Sequence, residues 1–410
     1  MKGIVAMSNV PLYEEKDFKN IKKFHLMLGP ACNMACRHCS QTPVKRTCLS
    51  LTVSPKVYRL IDNYIEYGLT HHTPGGSTKL VFWGGEPLMY WDVIAPLVQR
   101  IHEKYHLKRE DKLQLCITTN GRLLTDEIVD FINEYGMSFC FSYDSPYPFA
   151  IRDYVSDEIC ERVKKVNKYA VLSGFNAYDC DPILSYRCLK AKFPNVYEID
   201  VAGTLCRSFD LPEDIYRFDW DAVKNSFRKL RIAAQLDDVF ALEYLKRYFG
   251  VKRWRNSSCL GCAIGERFLT SSLDGRVAMC HDGGEFFGTI DESLETLHQK
   301  SVDRLLSIVS PLCKECKYTD MCSGRCMLDA RDEEGNFYSC RDLHWHIYDI
   351  IRDEYQKMVQ PLTDEDLNWY HEQEKIMEKQ VQMFLQEGQR YKKEHTRLPK
   401  EMMYRIKGGK

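Results

Sequence analysis

The sequence predicts an α/β fold in which six parallel strands alternate with helices, followed by a small cysteine-rich domain and a C-terminal helix. Three observations predict it: apolar runs that recur at helix-sized intervals, cysteines that cluster after residue 258, and a seven-residue apolar repeat near the C-terminus. Gly, Pro or Asn bounds the apolar runs, which is typical of strands that end in loops. In such sheets, ligands bind at the carboxyl ends of the strands.

The predicted strands and helices alternate along the first half of the chain. The strands cover 24–28, 79–83, 113–118, 138–143, 169–175 and 197–203. The helices cover 54–68, 91–106, 125–135, 156–168 and 183–193. This alternation predicts a parallel sheet with helices on its outer face.

Composition excludes several classes of protein. The chain has 410 residues, 44% of them hydrophobic, which is enough for two or three packed domains. A net charge of −1 steers neither nucleic acid nor an acidic surface, so we expect no nucleic-acid partner. The N-terminus is a poor secretory signal, and the apolar window 81–98 contains Glu86 and Asp92, so we expect no membrane span. We therefore predict a cytoplasmic protein.

The 18 cysteines fall into three groups. Three lie at 32–39, eight lie between 259 and 340, and seven are scattered singly. A cytosolic chain does not use so many cysteines as a disulfide framework, so the clusters indicate metal binding. The scattered cysteines are predicted to be small core residues: Cys48, Cys116, Cys140, Cys160, Cys180, Cys188 and Cys206.

The first cluster, Cys32, Cys36 and Cys39, lies on a loop that follows the first strand. Three thiolates can hold a [4Fe–4S] cluster and leave one iron open to a small chelating molecule. The alternative is a structural zinc site or buried structural thiols. The residues of this loop alone leave both interpretations open.

A second motif, Gly84-Gly85-Glu86-Pro87, follows the second strand, 45 residues after Cys39. Two glycines allow the backbone to approach a ligand closely, and Glu86 places a carboxylate beside it. In order and spacing the two motifs resemble those of the radical S-adenosylmethionine (SAM) enzymes. In that family SAM chelates the open iron, and its reductive cleavage yields a 5′-deoxyadenosyl radical that takes a hydrogen from substrate. The resemblance implies that the six strands form a partial TIM-like barrel.

Other segments fit the same resemblance. Thr118-Thr119-Asn120-Gly121 is similar to the family's TNG turn, with a polar β-turn as the alternative. Ser142-Tyr143-Asp144-Ser145 is similar to its S-h-D-G motif, with Ser145 in place of Gly. Arg152 would pair with the SAM carboxylate, with a solvated surface arginine as the alternative. The cofactor-binding residues that the resemblance implies are His38, Gly84, Gly85, Glu86, Pro87, Asn120, Ser142 and Arg152.

The second cysteine cluster divides into two sets of four thiols, which matches two [4Fe–4S] clusters or two zinc sites. Its spacing resembles the SPASM extension of peptide-modifying radical SAM enzymes. The resemblance implies an inner cluster ligated by Cys259, Cys262, Cys280 and Cys326. It implies an outer cluster ligated by Cys313, Cys316, Cys322 and Cys340. Together with the first site, these would make three [4Fe–4S] clusters.

A β-hairpin that turns at Asp274-Gly275 precedes Cys280, and His281 and Asp282 follow it. In the sulfatase-maturating relatives the aspartate directly after this cysteine is the proposed base. Here His281 occupies that position, and Asp282 is the candidate catalytic residue, with a loop-capping role as the alternative.

The C-terminal arm is predicted to be a helix from Thr363 to about Tyr391. Its apolar stripe consists of Leu367, Tyr370, Met377, Val381, Phe384 and Tyr391. Packing against the barrel is the favoured interpretation, with a dimer interface second. The basic stretch 390–410 is predicted to be a solvated tail, and contact with an acidic peptide is the alternative.

The sequence thus predicts an N-terminal segment (1–21), a barrel (22–235), linker helices (236–257), a SPASM domain (258–345) and a C-terminal arm (346–410). The resemblance implies an oxidoreductase that acts on a peptide or protein side chain and installs a thioether or C–C crosslink or an oxidation. Its partners would be the peptide, a separate leader-binding protein and an electron donor of the flavodoxin or ferredoxin type. The alternatives are a formylglycine-forming enzyme, a small-molecule enzyme and a zinc-bound interaction module.

Overall fold

A nine-stranded sheet runs through the part of the chain that the computed structural model describes. The described residues are 13, 15–39, 52–71, 78–107, 113–145, 152, 155–204, 215, 217–249, 268–281, 285–307, 312, 316–318, 333–336 and 344–394. No helix among them combines the length and the apolar content that crossing a membrane requires.

Six strands of this sheet are parallel and lie in the order of the chain. They are β1 (Lys23–Met27), β2 (Thr78–Trp83), β3 (Leu113–Thr119), β4 (Ser138–Ser142), β5 (Tyr169–Phe175) and β6 (Glu198–Thr204). Each lies within two residues of its predicted bounds, because a buried parallel strand is a continuous apolar run that the sequence shows directly. The predicted α/β class is confirmed.

Helices connect these strands and continue to the C-terminal arm. They are α1 (Pro55–Thr70), α2 (Trp91–Tyr105), α3 (Asp126–Glu134), α4 (Asp157–Lys164), α5 (Pro182–Lys192), α6 (Trp220–Gln235), α7 (Val239–Phe249), α8 (Leu294–Ser307), α9 (Trp345–Lys357) and α10 (Asp364–Glu394). Side chains fix several of the starts: Thr125 accepts from the Ile128 N–H, and Ser156 accepts from the Ile159 N–H.

The two faces of the sheet differ in character. One face carries fully buried apolar side chains such as Phe24 and Phe82, and Phe24 packs edge-on against Tyr64 of α1. The alternate residues point to the opposite face, which holds polar and reactive side chains such as His25 and Cys116. Helices therefore cover the apolar face, and the polar face is the one on which chemistry can take place.

Three further strands extend the sheet from its β1 edge. β7 (Phe268–Ser272) pairs with β1 in parallel, and β8 (Arg276–Ala278) and β9 (Phe286–Thr289) follow in antiparallel order. The turn between β7 and β8 contains Gly275 at φ 90°, as the sequence predicted. This hairpin belongs to the predicted SPASM domain, so the sheet crosses the predicted boundary, and the division into domains stays a prediction.

The scattered cysteines are partly as predicted. Cys116, Cys160 and Cys188 are buried, whereas Cys140 and Cys180 are half-buried. Burial raises the pKa of the Cys140 thiol to about 11, so it is a neutral side chain at ordinary pH. Cys48 and Cys206 lie outside the described residues.

The C-terminal helix α10 packs against α5 and α6. Tyr370, Met377 and Phe384 are buried, which confirms packing against the barrel as the role of the apolar stripe. Leu367 is exposed, contrary to its predicted place in the stripe, because it lies in the first turn of the helix, before Tyr370. The side chain of Tyr391 lies outside the described part.

Buried ion pairs fasten the same arm. The Arg231 guanidinium is 5% exposed and bonds Glu354 of α9 at 2.8 Å and Asp366 of α10 at 3.0 Å. One cation therefore joins three helices, and removal of Arg231 would take one partner from each of these two carboxylates.

We predict that Met377→Ala lowers the free energy of unfolding by about 3 kcal/mol, because it leaves a cavity where a fully buried side chain lay. The neighbouring Ile376 is 47% exposed, so Ile376→Ala is the matched control and changes stability by about 0.5 kcal/mol or less. Urea unfolding followed by circular dichroism measures both. Equal effects would show that the helix is not docked on this face.

Candidate functional site

The loop after β1 carries the first cysteine cluster. Cys32, Cys36 and Cys39 are half-buried, and the Cys39 N–H donates to the Cys36 carbonyl at 3.3 Å. The Met34 N–H approaches the Cys32 sulfur at 3.4 Å. The three thiols thus lie at the carboxyl end of a central strand, where the sequence predicted them.

The Gly84-Gly85 segment docks this loop by main-chain contacts. The Gly85 N–H donates to the Gly29 carbonyl at 2.9 Å, and the Glu86 N–H donates to the Ala31 carbonyl at 2.8 Å. A Cβ on Gly84 would lie 2.5 Å from the Gly29 oxygen, and one on Gly85 would lie 2.4 Å from the Ala31 oxygen. Both glycines are therefore required by the close approach of two backbones.

Glu86 is 1% exposed, and its carboxylate is bonded within the protein. Oε1 accepts from the Thr119 hydroxyl at 2.5 Å and from the Leu88 N–H at 2.9 Å, and Oε2 accepts from the Asn120 N–H at 2.8 Å. Burial raises its pKa, against these hydrogen bonds, which favour the charged form. Glu86 thus joins the loop after β2 to the end of β3; a direct contact with a cofactor stays a prediction.

Asn120 reaches from β3 back to the cysteine loop. Its Nδ2 donates to Asn33 Oδ1 at 2.8 Å and lies 3.9 Å from the Cys32 sulfur. Arg122 donates from Nη1 to the Asn33 carbonyl at 3.2 Å. The predicted TNG turn is therefore more than a polar β-turn, because its side chains contact the thiol-bearing loop.

Arg152 points inward, so the alternative of a solvated surface arginine is wrong. Its side chain is 13% exposed, and Nε donates to Asp144 Oδ2 at 2.5 Å. Nη1 lies 3.8 Å from the Cys36 sulfur, and Nη2 lies 3.3 Å from His38 Nε2. Although burial opposes ionisation, the Arg152 guanidinium holds the pKa of Asp144 below its usual range.

Ser142 and Pro87 complete the set of predicted cofactor residues. Ser142 ends β4, pairs in register with Leu172 and is half-buried, so it lies at the same edge of the sheet as the thiols. Pro87 begins a short 3₁₀ helix, Pro87–Tyr90. From its end, the Tyr90 hydroxyl accepts from the Ala31 N–H at 3.1 Å.

A cluster on the polar face of the sheet was missed by the sequence analysis. His25 stacks on His281 at 4.4 Å, and Trp83 meets His281 edge-on at 4.5 Å. Among the described residues, no hydrogen-bond partner meets the buried His25 Nδ1 or the buried Trp83 Nε1. The alternation of His25 with Phe24 and Leu26 in β1 indicates that His25 lies on the opposite face of the sheet. It does not indicate which residue His25 contacts there, and His281 is 256 residues further along the chain.

The second cysteine cluster is described in part. Cys280 follows β8, and both it and Cys316 are half-buried. Cys259, Cys262, Cys313, Cys322, Cys326, Cys340 and Asp282 lie outside the described residues. Within the described ranges no three Cys, His, Asp or Glu side chains are grouped as ligands of a metal ion, so the ligand assignments of all three clusters stay predictions.

Comparison with known proteins agrees with this geometry. The family model of the Radical SAM superfamily matches residues 26–180, which include the cysteine loop, the Gly-Gly-Glu segment and Arg152. These residues form a radical SAM domain. The matched range begins within β1 and ends after β5, so it takes in the strand ends that carry the predicted SAM site.

Relatives and solved structures resemble more of the chain than this domain. The radical SAM cyclopropyl synthase TigE of Paramaledivibacter caminithermalis is 23% identical over 78% of this chain and 70% of its own. A probable GTP 3′,8-cyclase of Methanococcus maripaludis is 23% identical over 41% of this chain and 54% of its own. The structure of anSMEcpe with bound AdoMet is 18% identical, covers 82% of this chain and 98% of its own, and has a TM-score of 0.55. That structural likeness shows a shared fold.

The residues of the radical SAM domain fit the two cofactors of the family, SAM and a [4Fe–4S] cluster. Three thiols lie on one loop, which is the donor set that leaves an iron open. N–H groups of Met34, Asn120 and Arg152 lie 3.4–3.9 Å from the sulfurs of Cys32 and Cys36. Such donors stabilise electron-rich sulfur, which is what ligated thiolates become.

Because His25 is buried and lies beside His281 and Lys23, its pKa falls from 6.5 to about 2. Below pH 6.5 the His25 side chain binds a proton in the unfolded chain but not in the folded protein. The free energy of unfolding therefore decreases as the pH decreases. We predict that between pH 6.5 and pH 5 the free energy of unfolding of the native protein falls by about 1.5 kcal/mol more than that of His25→Phe, which retains the stacked ring.

Urea titrations of both proteins at several pH values test this prediction. Parallel pH profiles would mean that His25 is hydrated or protonated in the folded protein. A His102→Phe variant is the control, because His102 is only partly buried and its pKa is lowered less severely.

Proposed function

We propose that this protein is a radical SAM oxidoreductase that cleaves SAM reductively and abstracts a hydrogen from a peptide or protein side chain. The main support is the loop of Cys32, Cys36 and Cys39, which two main-chain hydrogen bonds dock onto the Gly84-Gly85-Glu86 segment. A structural zinc site needs a fourth ligand. It does not need a glycine pair that allows a second backbone segment to approach the thiol loop closely.

Cys32, Cys36 and Cys39 would hold the cluster, and the ends of β2, β3 and β4 would hold SAM. When bound there, a reduced [4Fe–4S] cluster supplies the electron that splits the sulfonium C–S bond of SAM into methionine and a 5′-deoxyadenosyl radical. The protein positions the reactants: Glu86 fixes the loop after β2 against β3, and Asn120 contacts the thiol-bearing loop. Ser142 and His38 stay candidates for contacts with the SAM nucleoside.

A peptide substrate is supported by the fold. A second structure of anSMEcpe, with AdoMet and the Cp18Cys peptide bound, has a TM-score of 0.55 and covers 82% of this chain. The polar face of the sheet, beside Trp83 and His281, would receive the peptide. We infer that the product is a crosslink or an oxidised residue of a ribosomally made peptide.

Formylglycine formation is the second candidate. It is favoured by His281, which occupies the position directly after Cys280 and meets Trp83 edge-on on the polar face of the sheet. Asp282, the next residue, stays the proposed catalytic base. Both candidates begin with hydrogen abstraction, and they differ in the substrate and in the product: a crosslinked or oxidised peptide residue, or a formylglycine made from Cys or Ser.

We further propose two auxiliary [4Fe–4S] clusters in a SPASM domain, with the ligands predicted from the sequence. They would conduct electrons, because four thiolates leave no iron open to substrate. A cytoplasmic location, a separate leader-binding protein and a flavodoxin- or ferredoxin-type electron donor complete the proposal. A zinc-bound interaction module and a small-molecule enzyme are the competing classes.

We predict that the anaerobically reconstituted protein releases 5′-deoxyadenosine from SAM under dithionite, and that Cys36→Ala abolishes the release. The reason is that two thiolates cannot retain the cluster in the three-thiol loop. Cys180→Ala is the matched control, since Cys180 is also half-buried but belongs to neither cysteine cluster. Chromatography of the quenched reaction measures the product; undiminished release by Cys36→Ala would refute the proposal.

We predict about twelve irons per chain after reconstitution, from three clusters of four. Cys316→Ala should lower the count to about eight and leave 5′-deoxyadenosine release intact, because the outer cluster is separate from the SAM site. Assays of iron, sulfide and zinc in the reconstituted native protein and in Cys316→Ala measure these counts. Two zinc ions with about four irons would show that the second cysteine cluster is structural.

A further inference from the structure

Arg152 is held at the edge of the cysteine loop by a buried carboxylate. Asp144 is 1% exposed and accepts from Arg152 Nε at 2.5 Å. Its other oxygen accepts from the Gly174 N–H at 2.8 Å, at the end of β5. Because Asp144 is bonded to the sheet and to Arg152 at once, the guanidinium is held in one orientation.

The remaining nitrogens of Arg152 face the loop. Nη1 lies 3.8 Å from the Cys36 sulfur. Nη2 lies 3.3 Å from His38 Nε2, which must accept, since a guanidinium only donates. A guanidinium stays protonated in proteins, and the buried Asp144 carboxylate pairs with it, so the cation persists. A permanent positive charge therefore points at one ligand sulfur.

We propose that Arg152, oriented by Asp144, raises the reduction potential of the [4Fe–4S] cluster that Cys32, Cys36 and Cys39 bind. The proposal rests on the proposed function, which supplies the cluster. Reduction adds one electron, delivered by dithionite or by a donor protein, to a site that is already anionic. A cation and an N–H donor at a ligand sulfur stabilise that added charge, and they do so strongly where water is excluded. Arg152 is thus a positioning and tuning residue.

This role differs from the contact with the SAM carboxylate that the sequence suggested. The geometry favours the sulfur, because the Nε edge is bonded to Asp144 and Nη1 is directed at Cys36. The two roles make different predictions. A tuning residue changes the potential in the absence of SAM, whereas a carboxylate clamp changes only the affinity for SAM.

We predict that Arg152→Gln lowers the midpoint potential of this cluster, without SAM, enough to reduce the ratio of reduced to oxidised cluster about tenfold at a fixed potential, or ~59 mV for one electron. Arg152→Lys should give a smaller decrease, because it retains the charge but not the planar fork. Dye-mediated titration followed by electron paramagnetic resonance measures the potential. The signal that changes on addition of SAM identifies this cluster among the three.

Arg162→Gln is the control, since it removes the same charge from an arginine that pairs with Glu158 on the helical side. An unchanged potential in both Arg152 variants, with full iron content, would overturn the proposal, and a loss of SAM affinity alone would assign Arg152 to the carboxylate. If Arg152→Gln retains no cluster, the Arg152→Lys potential decides. Failure of the proposed function looks different: the native protein would then show no signal that SAM perturbs.

Discussion

The site depends on a pair of main-chain hydrogen bonds between two loops. The Gly85 and Glu86 N–H groups donate to the carbonyls of Gly29 and Ala31, and together they continue the pairing of β1 and β2 beyond the ends of both strands. Each bond contributes only about 1 kcal/mol to stability, but together they hold the cysteine loop in one position against the loop after β2. The position of the cysteine loop therefore depends on glycine at 84 and 85, because a Cβ at either position would meet a carbonyl oxygen of that loop.

Buried carboxylates extend this arrangement across the sheet. Glu86 joins the end of β2 to the end of β3, and Asp144 joins the end of β4 to β5 and to Arg152. Each acid is almost fully buried and bonded by at least two donors, so removal of one donor would weaken the stabilisation of a charge in a medium of low dielectric constant. Successive strand ends are thus coupled, and the polar groups near the thiols are preorganised.

Local patterns explain why most of the fold could be predicted. The strands were identified from apolar runs such as KLVFW, and the helix starts follow from caps such as Thr125, which act within a few residues. The Gly-Gly-Glu segment and the first cysteine cluster were found because the two motifs, taken together in order and spacing, resemble those of one family. The contacts of Arg152 with Asp144 and Cys36 were not predictable, because Arg152 lies ten residues beyond β4 in a segment without periodicity. The partners of His25 and Glu86 were missed for the same reason: each contact joins segments far apart in the chain.

The parallel pairing of β7 with β1 has a further consequence for the relation between the two cysteine clusters. His25 of β1 pairs with Thr270 of β7, and Cys280 follows β8, the next strand of the same hairpin. The Ser54 N–H, at the start of α1, donates to the Leu273 carbonyl at 2.8 Å and ties the hairpin to the barrel a second time. Paired strands hold two segments at a fixed separation and register, because each hydrogen bond between them joins defined residues. A flexible linker does not. Cys280 is consequently held in a fixed relation to the strand that leads into the first cysteine loop.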